Sequence, residues 1–262
     1  MHLLQFLKTI PLYINYFLAV VDQHSIQAPF AFEFYNELRK ALEKSDVIDE
    51  IEHARDRFLD DHLLVDGEDM GAGSRVNRTS TISSIAQYGI SSKRDCMFLL
   101  ALANICNPQI CIELGSSLGI STAYLAKSGH INSIYSFEGN KALVKSACQL
   151  LDELDAQEAQ IMQGNIDAEL PRLLSKLESV DLAIIDANHT ENALLNYFRL
   201  LKPKMQSNSI VMIDDIRWSN EMYRGWRKII GEREVTVSME FLCRGLIFFK
   251  KGIQKQHYVL PY

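Results

Sequence analysis

The sequence lacks the features that mark membrane spans, disulfide scaffolds and nucleic-acid surfaces. It contains no uninterrupted apolar run of about 18 residues or more. Its most apolar stretch, Leu3 to Val21, is broken by Gln5, Lys8, Pro11 and Asn15. That stretch also has neither the basic start nor the small-residue cleavage site of a secretory signal. It reads as a packed or partner-facing helix, with peripheral membrane contact as the alternative, and no transmembrane segment is expected. Cysteine is sparse: Cys96, Cys106, Cys111, Cys148 and Cys243 are odd in number and form no Cys-x-x-Cys pair. They read as reduced core thiols of a cytoplasmic protein. A basic surplus is also missing, since 27 Lys and Arg face 33 Asp and Glu for a net charge of −6. This argues against a broad nucleic-acid surface and favours a small or neutral partner, while a local basic patch stays open. There is no internal repeat, no low-complexity tract and no Gly-x-Gly-x-x-Gly fingerprint.

What is present is enough apolar material, 47% of 262 residues, to bury a substantial core. One large α/β domain with a helical extension fits that length. From Pro29 to about Leu64 the pattern is helical, with Phe30, Phe34 and Leu38 on one stripe and Ile48, Ile51 and Phe58 on another. Asp66 to Arg78, punctuated by Gly67, Gly71 and Gly73, reads as a loop, either a lid or a linker. The boundary is set at about residue 80: residues 1–80 form a helical extension and residues 81–262 the α/β domain. Ser91 to Ile105 is an amphipathic helix. Strands then alternate with helices: Gln109–Leu114, Ile134–Phe137, Gln160–Gln163, Leu182–Ile185 and Ser209–Ile213. That rhythm implies a mostly parallel sheet. Val235–Leu242 and Gly245–Lys250 are joined by only Cys243-Arg244, so they pair antiparallel.

Ligands of an open parallel sheet bind at the carboxyl ends of its strands. The first strand ends in Glu113-Leu-Gly115-Ser-Ser117-Leu-Gly119-Ile-Ser121-Thr122. Its glycines allow a sharp bend and close approach of a ligand, and Ser121 and Thr122 open or cap the next helix. Glu138, twenty-five positions after Glu113, ends the second strand. A carboxylate there can accept both hydroxyls of a ribose. The Gly-x-x-x-Gly spacing departs from the pyrophosphate cradle of dinucleotide sites.

Over about Ile85 to Lys251 these residues resemble the class I S-adenosylmethionine-dependent methyltransferases, and within them the catechol O-methyltransferase-like branch with its uncharacterised bacterial relatives. The resemblance implies a Rossmann-like fold with a seven-stranded, mostly parallel sheet ending in an antiparallel hairpin, and S-adenosylmethionine as cofactor. It implies that Glu113, Gly115, Ser117, Gly119 and Ser121 lie under the methionine half and that Glu138 and Gly139 hold the ribose. Asn165, Ile166 and Asp167, in the stretch Gly164 to Pro171, would flank adenine. Gln87 to Gly89 would close over the methionine moiety.

The acceptor side is read from Asp186, after one strand, and Asp214-Asp215, after the next. The resemblance implies that these acids bind a divalent cation, and oxygen ligands suit magnesium or manganese. The alternative is that Asp186 holds the methionine end while Asp214 and Asp215 cap a turn. Asp186 also counts among the catalytic residues with His189, which stands where the catechol branch has a lysine base. An imidazole titrates near neutrality and can take a proton from a hydroxyl. Trp218 would stack an aromatic or cationic acceptor, or else pack with Trp226 onto the sheet. Three readings compete. The leading one is a small-molecule O-methyltransferase, with residues 1–80 as a cap or homodimer contact. The others are a methyltransferase of RNA or protein, and a non-catalytic cofactor binder or NAD(P)-dependent oxidoreductase.

Overall fold

The computed structural model describes residues 3–66 and 79–261. The glycine-rich segment read as a loop, residues 67–78, lies outside the described residues. In chain order the helices are α1 (Leu3–Ala19), α2 (Pro29–Lys44), α3 (Asp49–Asp60), α4 (Ile82–Tyr88), α5 (Lys93–Cys106), α6 (Ile120–Ala126), α7 (Lys141–Glu153), α8 (Ile166–Leu174), α9 (Glu191–Leu201) and α10 (Asn220–Gly231). The strands are β1 (Leu64–Asp66), β2 (Thr79–Thr81), β3 (Ile110–Leu114), β4 (Ser133–Glu138), β5 (Ala159–Gln163), β6 (Val180–Ile185), β7 (Met205–Ile213), β8 (Val237–Glu240), β9 (Gly245–Phe248) and β10 (Gln256–Val259). The chain divides into two compact units, residues 1–37 with 174–262 and residues 38–173. No helix among the described residues is long and apolar enough to cross a membrane.

In the unit of residues 38–173, β3, β4 and β5 run parallel in that order, with Glu113 opposite Ser136 and Glu138 opposite Gln163. The two amphipathic stretches expected over Pro29 to about Leu64 are α2 and α3. Asp49, Glu50 and Glu52 start α3 afresh, where negative charge complements exposed backbone N–H groups. After α3 the chain turns into β1, which pairs antiparallel with β2. Helix α5 begins at Lys93, two residues later than expected, because Ser92 and Asp95 form a reciprocal capping box. A buried ionic group fixes α3 to its neighbours. Glu52 receives Arg55 Nε at 2.9 Å, Tyr124 Oη at 2.7 Å and Lys93 Nζ at 3.2 Å.

The other unit has the strand order β10-β8-β9-β7-β6. β6 and β7 are parallel, and β9 is antiparallel to both β7 and β8, which gives the expected hairpin. Among the described residues, the strands of the two units' longer arrays number eight, one more than expected, because β10 adds to the edge parallel to β8. Trp226 of α10 is fully buried on this layer, and a Cβ at Gly245 would sit 2.4 Å from its ring. Its role is packing. Phe34 of α2 meets Phe248 at 4.7 Å between ring centres. Helix α1 is tied to the C-terminal strand, with Tyr16 Oη donating to Leu260 O at 2.8 Å and Val21 N to Val259 O at 2.9 Å.

Candidate functional site

The turn after β3 is built on backbone conformations that few residues adopt. Gly115 and Gly119 have φ of 103° and 81°, and Ser117 has φ of 49°. Gly119 is required twice over, since a Cβ there would also lie 2.9 Å from Ala147 Cβ of α7. The N–H groups of Gly115 and Ser116 donate to Phe137 O at 3.0 Å. Ser117 N–H donates to Glu138 Oε2 at 3.0 Å, and Asn140 N–H to Glu138 Oε1 at 2.8 Å. One half-buried carboxylate therefore locks the turns that follow β3 and β4, and is already oriented by two backbone donors.

Glu113 faces the other way. It is 1% exposed and accepts from Thr122 Oγ1 at 2.5 Å and from Ser136 Oγ. It braces β3, β4 and α6 from inside, and Ser121 is likewise buried on α6. The cap of α6 is Gly119 rather than Ser121. Gly139 is half-buried beside Glu138. The exposed Asn165 accepts from Asp167 N–H through Oδ1 at 2.8 Å and starts α8, which leaves Ile166 half-buried and Asp167 exposed. Gly164 N–H donates to Glu138 O at 3.0 Å, so this turn joins the other two. Gln87 to Gly89 end α4, whose Ile82, Ile85 and Ala86 pack with Leu118 of the turn and Leu143 of α7.

In the other unit, β6 runs into Asp186 and β7 into Asp214-Asp215, and Asp214 N–H donates to Ile185 O at 3.0 Å. Asn188 and Asp215 adopt the left-handed conformation, with φ of 49° and 52°. His189 precedes Thr190, whose hydroxyl caps α9. Its Nε2 lies 3.4 Å from Asp186 Oδ1 and 3.5 Å from Asp215 Oδ2. Burial alone would lower the imidazole pKa, but contact with Asp186 and the charges of Asp215 and Asp214 raise it to about 9. They prevail even though a cation is disfavoured at a helix N-terminus. Burial pushes Asp214 up to about 7 against the pull of Arg244, with Asp186 and Asp215 adding to the rise. Trp218 is half-buried, its ring centre 5.8 Å from that of His189.

Two arginines were not foreseen. Arg244 Nε is 3.6 Å from Asp214 Oδ1 and both side chains are largely buried. Arg217 is paired with Glu240, each 1% exposed, and also donates to Phe241 O, Leu242 O and Leu12 O. The signal for Arg244 was a charged residue inside an apolar hairpin.

Among the described residues, no group of three or more His, Cys, Asp and Glu side chains is placed to hold a metal ion. As arranged, Asp186, Asp214 and Asp215 do not fit the magnesium or manganese that the resemblance implied. His189 stands between two of them and Arg244 against the third.

Residues 112–216 match the family described as a methyltransferase domain, a span running from β3 past Asp215. No curated protein sequence matches the chain at significance. Among solved structures, a Podospora anserina methyltransferase bound to S-adenosylhomocysteine superposes with a TM-score of 0.62 at 13% identity, covering 87% of this chain and 100% of that one. An O-methyltransferase from Bacillus cereus, in complex with S-adenosylhomocysteine, gives 0.53 at 15% identity, covering 62% and 83%. The O-methyltransferase TomG from Streptomyces achromogenes, in complex with S-adenosylmethionine, gives 0.53 at 16% identity, covering 62% and 82%. The Rossmann-like methyltransferase fold expected from the sequence is the fold observed.

Proposed function

We propose that this chain, which carries a methyltransferase domain, transfers the methyl group of S-adenosylmethionine to an oxygen of a small molecule. The observation that carries the reading is the Glu138 carboxylate, held by the N–H groups of Ser117 and Asn140 at the end of β4. A carboxylate at this strand end suits the two hydroxyls of a ribose. When bound, S-adenosylmethionine would supply an electrophilic methyl group carried on a sulfonium sulfur.

The chain's own residues then have separate tasks. Gly115, Ser117 and Gly119 admit the methionine half, Glu138 and Gly139 the ribose, and Asn165, Ile166 and Asp167 the base. Glu113 and Ser121 serve from inside, by holding the turn in shape. His189 is the candidate base and Asp186 its orienting carboxylate. With a pKa of about 9, His189 is free to take the acceptor proton only under alkaline conditions. Below that it stays protonated and can orient an acceptor oxygen but not deprotonate it. Trp218, beside it, offers an aromatic wall to an aromatic or cationic acceptor. No step is routed through a divalent ion.

The net charge of −6 supports a small acceptor over RNA. The odd number and scatter of Cys96, Cys106, Cys111, Cys148 and Cys243, with no Cys-x-x-Cys pair, support a cytoplasmic setting. In this reading the domain proper is residues 81–262, residues 1–80 cap the acceptor side, and a homodimer contact would use the exposed Ile14, Phe17 and Leu18 of α1. Calorimetry with S-adenosylhomocysteine and NADP tests the reading. Tight NADP binding with no S-adenosylhomocysteine binding would sink it. A screen with labelled cofactor then identifies the acceptor.

A further inference from the structure

The geometry points to an acceptor side whose carboxylates are served by the chain's own His189 and Arg244 and take up no divalent metal. The inference rests on the methyltransferase reading above, in which Asp186, Asp214 and Asp215 belong to the acceptor side. A magnesium ion needs oxygen ligands at about 2.0–2.1 Å in a near-octahedral array, and calcium needs them at about 2.3–2.6 Å. The space between Asp186 and Asp215 is already filled by an imidazole. Its Nε2 stands 3.4 Å from Asp186 Oδ1 and 3.5 Å from Asp215 Oδ2. An ion bridging those oxygens would have to displace the ring, which is held beside Trp218 at 5.8 Å and fixed in sequence to the cap of α9.

The third carboxylate is committed elsewhere. Asp214 Oδ1 accepts the N–H of Asp215 at 2.9 Å and lies 3.6 Å from Arg244 Nε. Arg244 cannot leave easily, because β9 starts at Gly245, opposite Ile213 at the end of β7, and places the arginine beside Asp214. Arginine keeps its charge at any working pH. Recruiting Asp214 to a metal would strand that buried guanidinium, which is costly. Each carboxylate thus has a nitrogen of His189 or Arg244 within 3.6 Å of one of its oxygens. The positioning of an acceptor oxygen then falls to His189 and its two acids.

Manganese binding, followed by electron paramagnetic resonance on the full chain, tests this without knowledge of the acceptor, with S-adenosylhomocysteine calorimetry run on the same samples. The wild-type protein is expected to bind S-adenosylhomocysteine and to leave manganese free. His189→Ala empties the space between the acids and should bind manganese roughly ten-fold or more tighter than wild type. Adding Asp186→Asn should remove that gain. Wild-type chains that bind manganese stoichiometrically, and lose it on Asp186→Asn, overturn the proposal. So does a His189→Ala variant that still binds S-adenosylhomocysteine yet gains no manganese. If His189→Ala does not fold, His189→Ser repeats the comparison under the same criteria. Failure of the wild type to bind S-adenosylhomocysteine overturns the methyltransferase reading instead, and the manganese comparison still decides the occupancy of the acids.

Discussion

The backbone N–H of Ser117 points at Glu138 Oε2 across 3.0 Å, so the turn after β3 is held by a side chain from the end of β4. The carboxylate that would meet a ribose is thus part of the scaffold that shapes the cradle. Glu138→Ala should weaken S-adenosylhomocysteine by about 1–3 kcal/mol, from lost charged hydrogen bonds. Glu138→Gln keeps an acceptor for one N–H and should lose less. Calorimetry on both variants checks the order, and equal affinity for all three proteins would remove Glu138 from the site.

His189 sets the pH dependence. Its raised pKa of about 9 means that proton abstraction should quicken as pH rises toward 9, well above the ordinary value for histidine. His189→Ala should flatten that profile and lower turnover by roughly 10²–10⁴. The folded state binds this proton more tightly than the unfolded state does. The stabilisation is therefore complete below about pH 6.5 and fades as pH rises through 9. Urea titrations of wild type and His189→Ala should differ most in the acid range and converge at alkaline pH.

Gly119 and Gly129 form a matched pair. Both have positive φ, 81° and 69°, but only at Gly119 would a Cβ meet an obstacle, Ala147 Cβ at 2.9 Å. Gly129→Ala should cost about 1–2 kcal/mol from backbone conformation alone. Gly119→Ala should cost about 1–3 kcal/mol more from overpacking against α7. It should also weaken S-adenosylhomocysteine, whereas Gly129→Ala should not. Denaturant midpoints and calorimetry together separate the two effects.

Glu240 accepts from Trp226 Nε1 at 2.6 Å and pairs with buried Arg217. Glu240→Ala leaves that guanidinium without its carboxylate and should destabilise the protein by about 3–5 kcal/mol. Glu240→Ala with Arg217→Met should recover much of the loss. Chemical denaturation of the single and double variants measures the coupling, and additive losses would show that the pair acts independently.

The parallel strands, the hairpin and the Gly115 to Gly119 turn were legible because each is written locally, in apolar runs bounded by glycines and acids. Glu113 was legible as an important residue, but not as one turned inward. Its direction depends on Thr122 and Ser136, whose hydroxyls reach it only after α6 and β4 have folded. β1 and β2 are three residues each, too short for alternation to register. β10, with its sequence Gln-His-Tyr-Val, is half polar and becomes a strand by pairing with β8. The start of β7 escaped notice for the same reason, its polar Gln206 and Asn208 being exposed while the last five residues are buried. Arg217 and Arg244 gain their roles only when the fold supplies Glu240 and Asp214.

The hydrogen bond from Tyr16 to the carbonyl of Leu260 joins residues 244 apart in the chain. During synthesis, α1 is made more than 200 residues before β10 and waits for it before Tyr16 and Val21 can donate to Leu260 and Val259. Its apolar face stays uncovered until that segment is made, which makes this helix a natural site for a holding chaperone. Such a long closure also belongs late in folding, because the loop entropy is offset only after the strands between have formed. Translation arrested before residue 256 should leave α1 open to proteolysis, and completion of β10 should protect it.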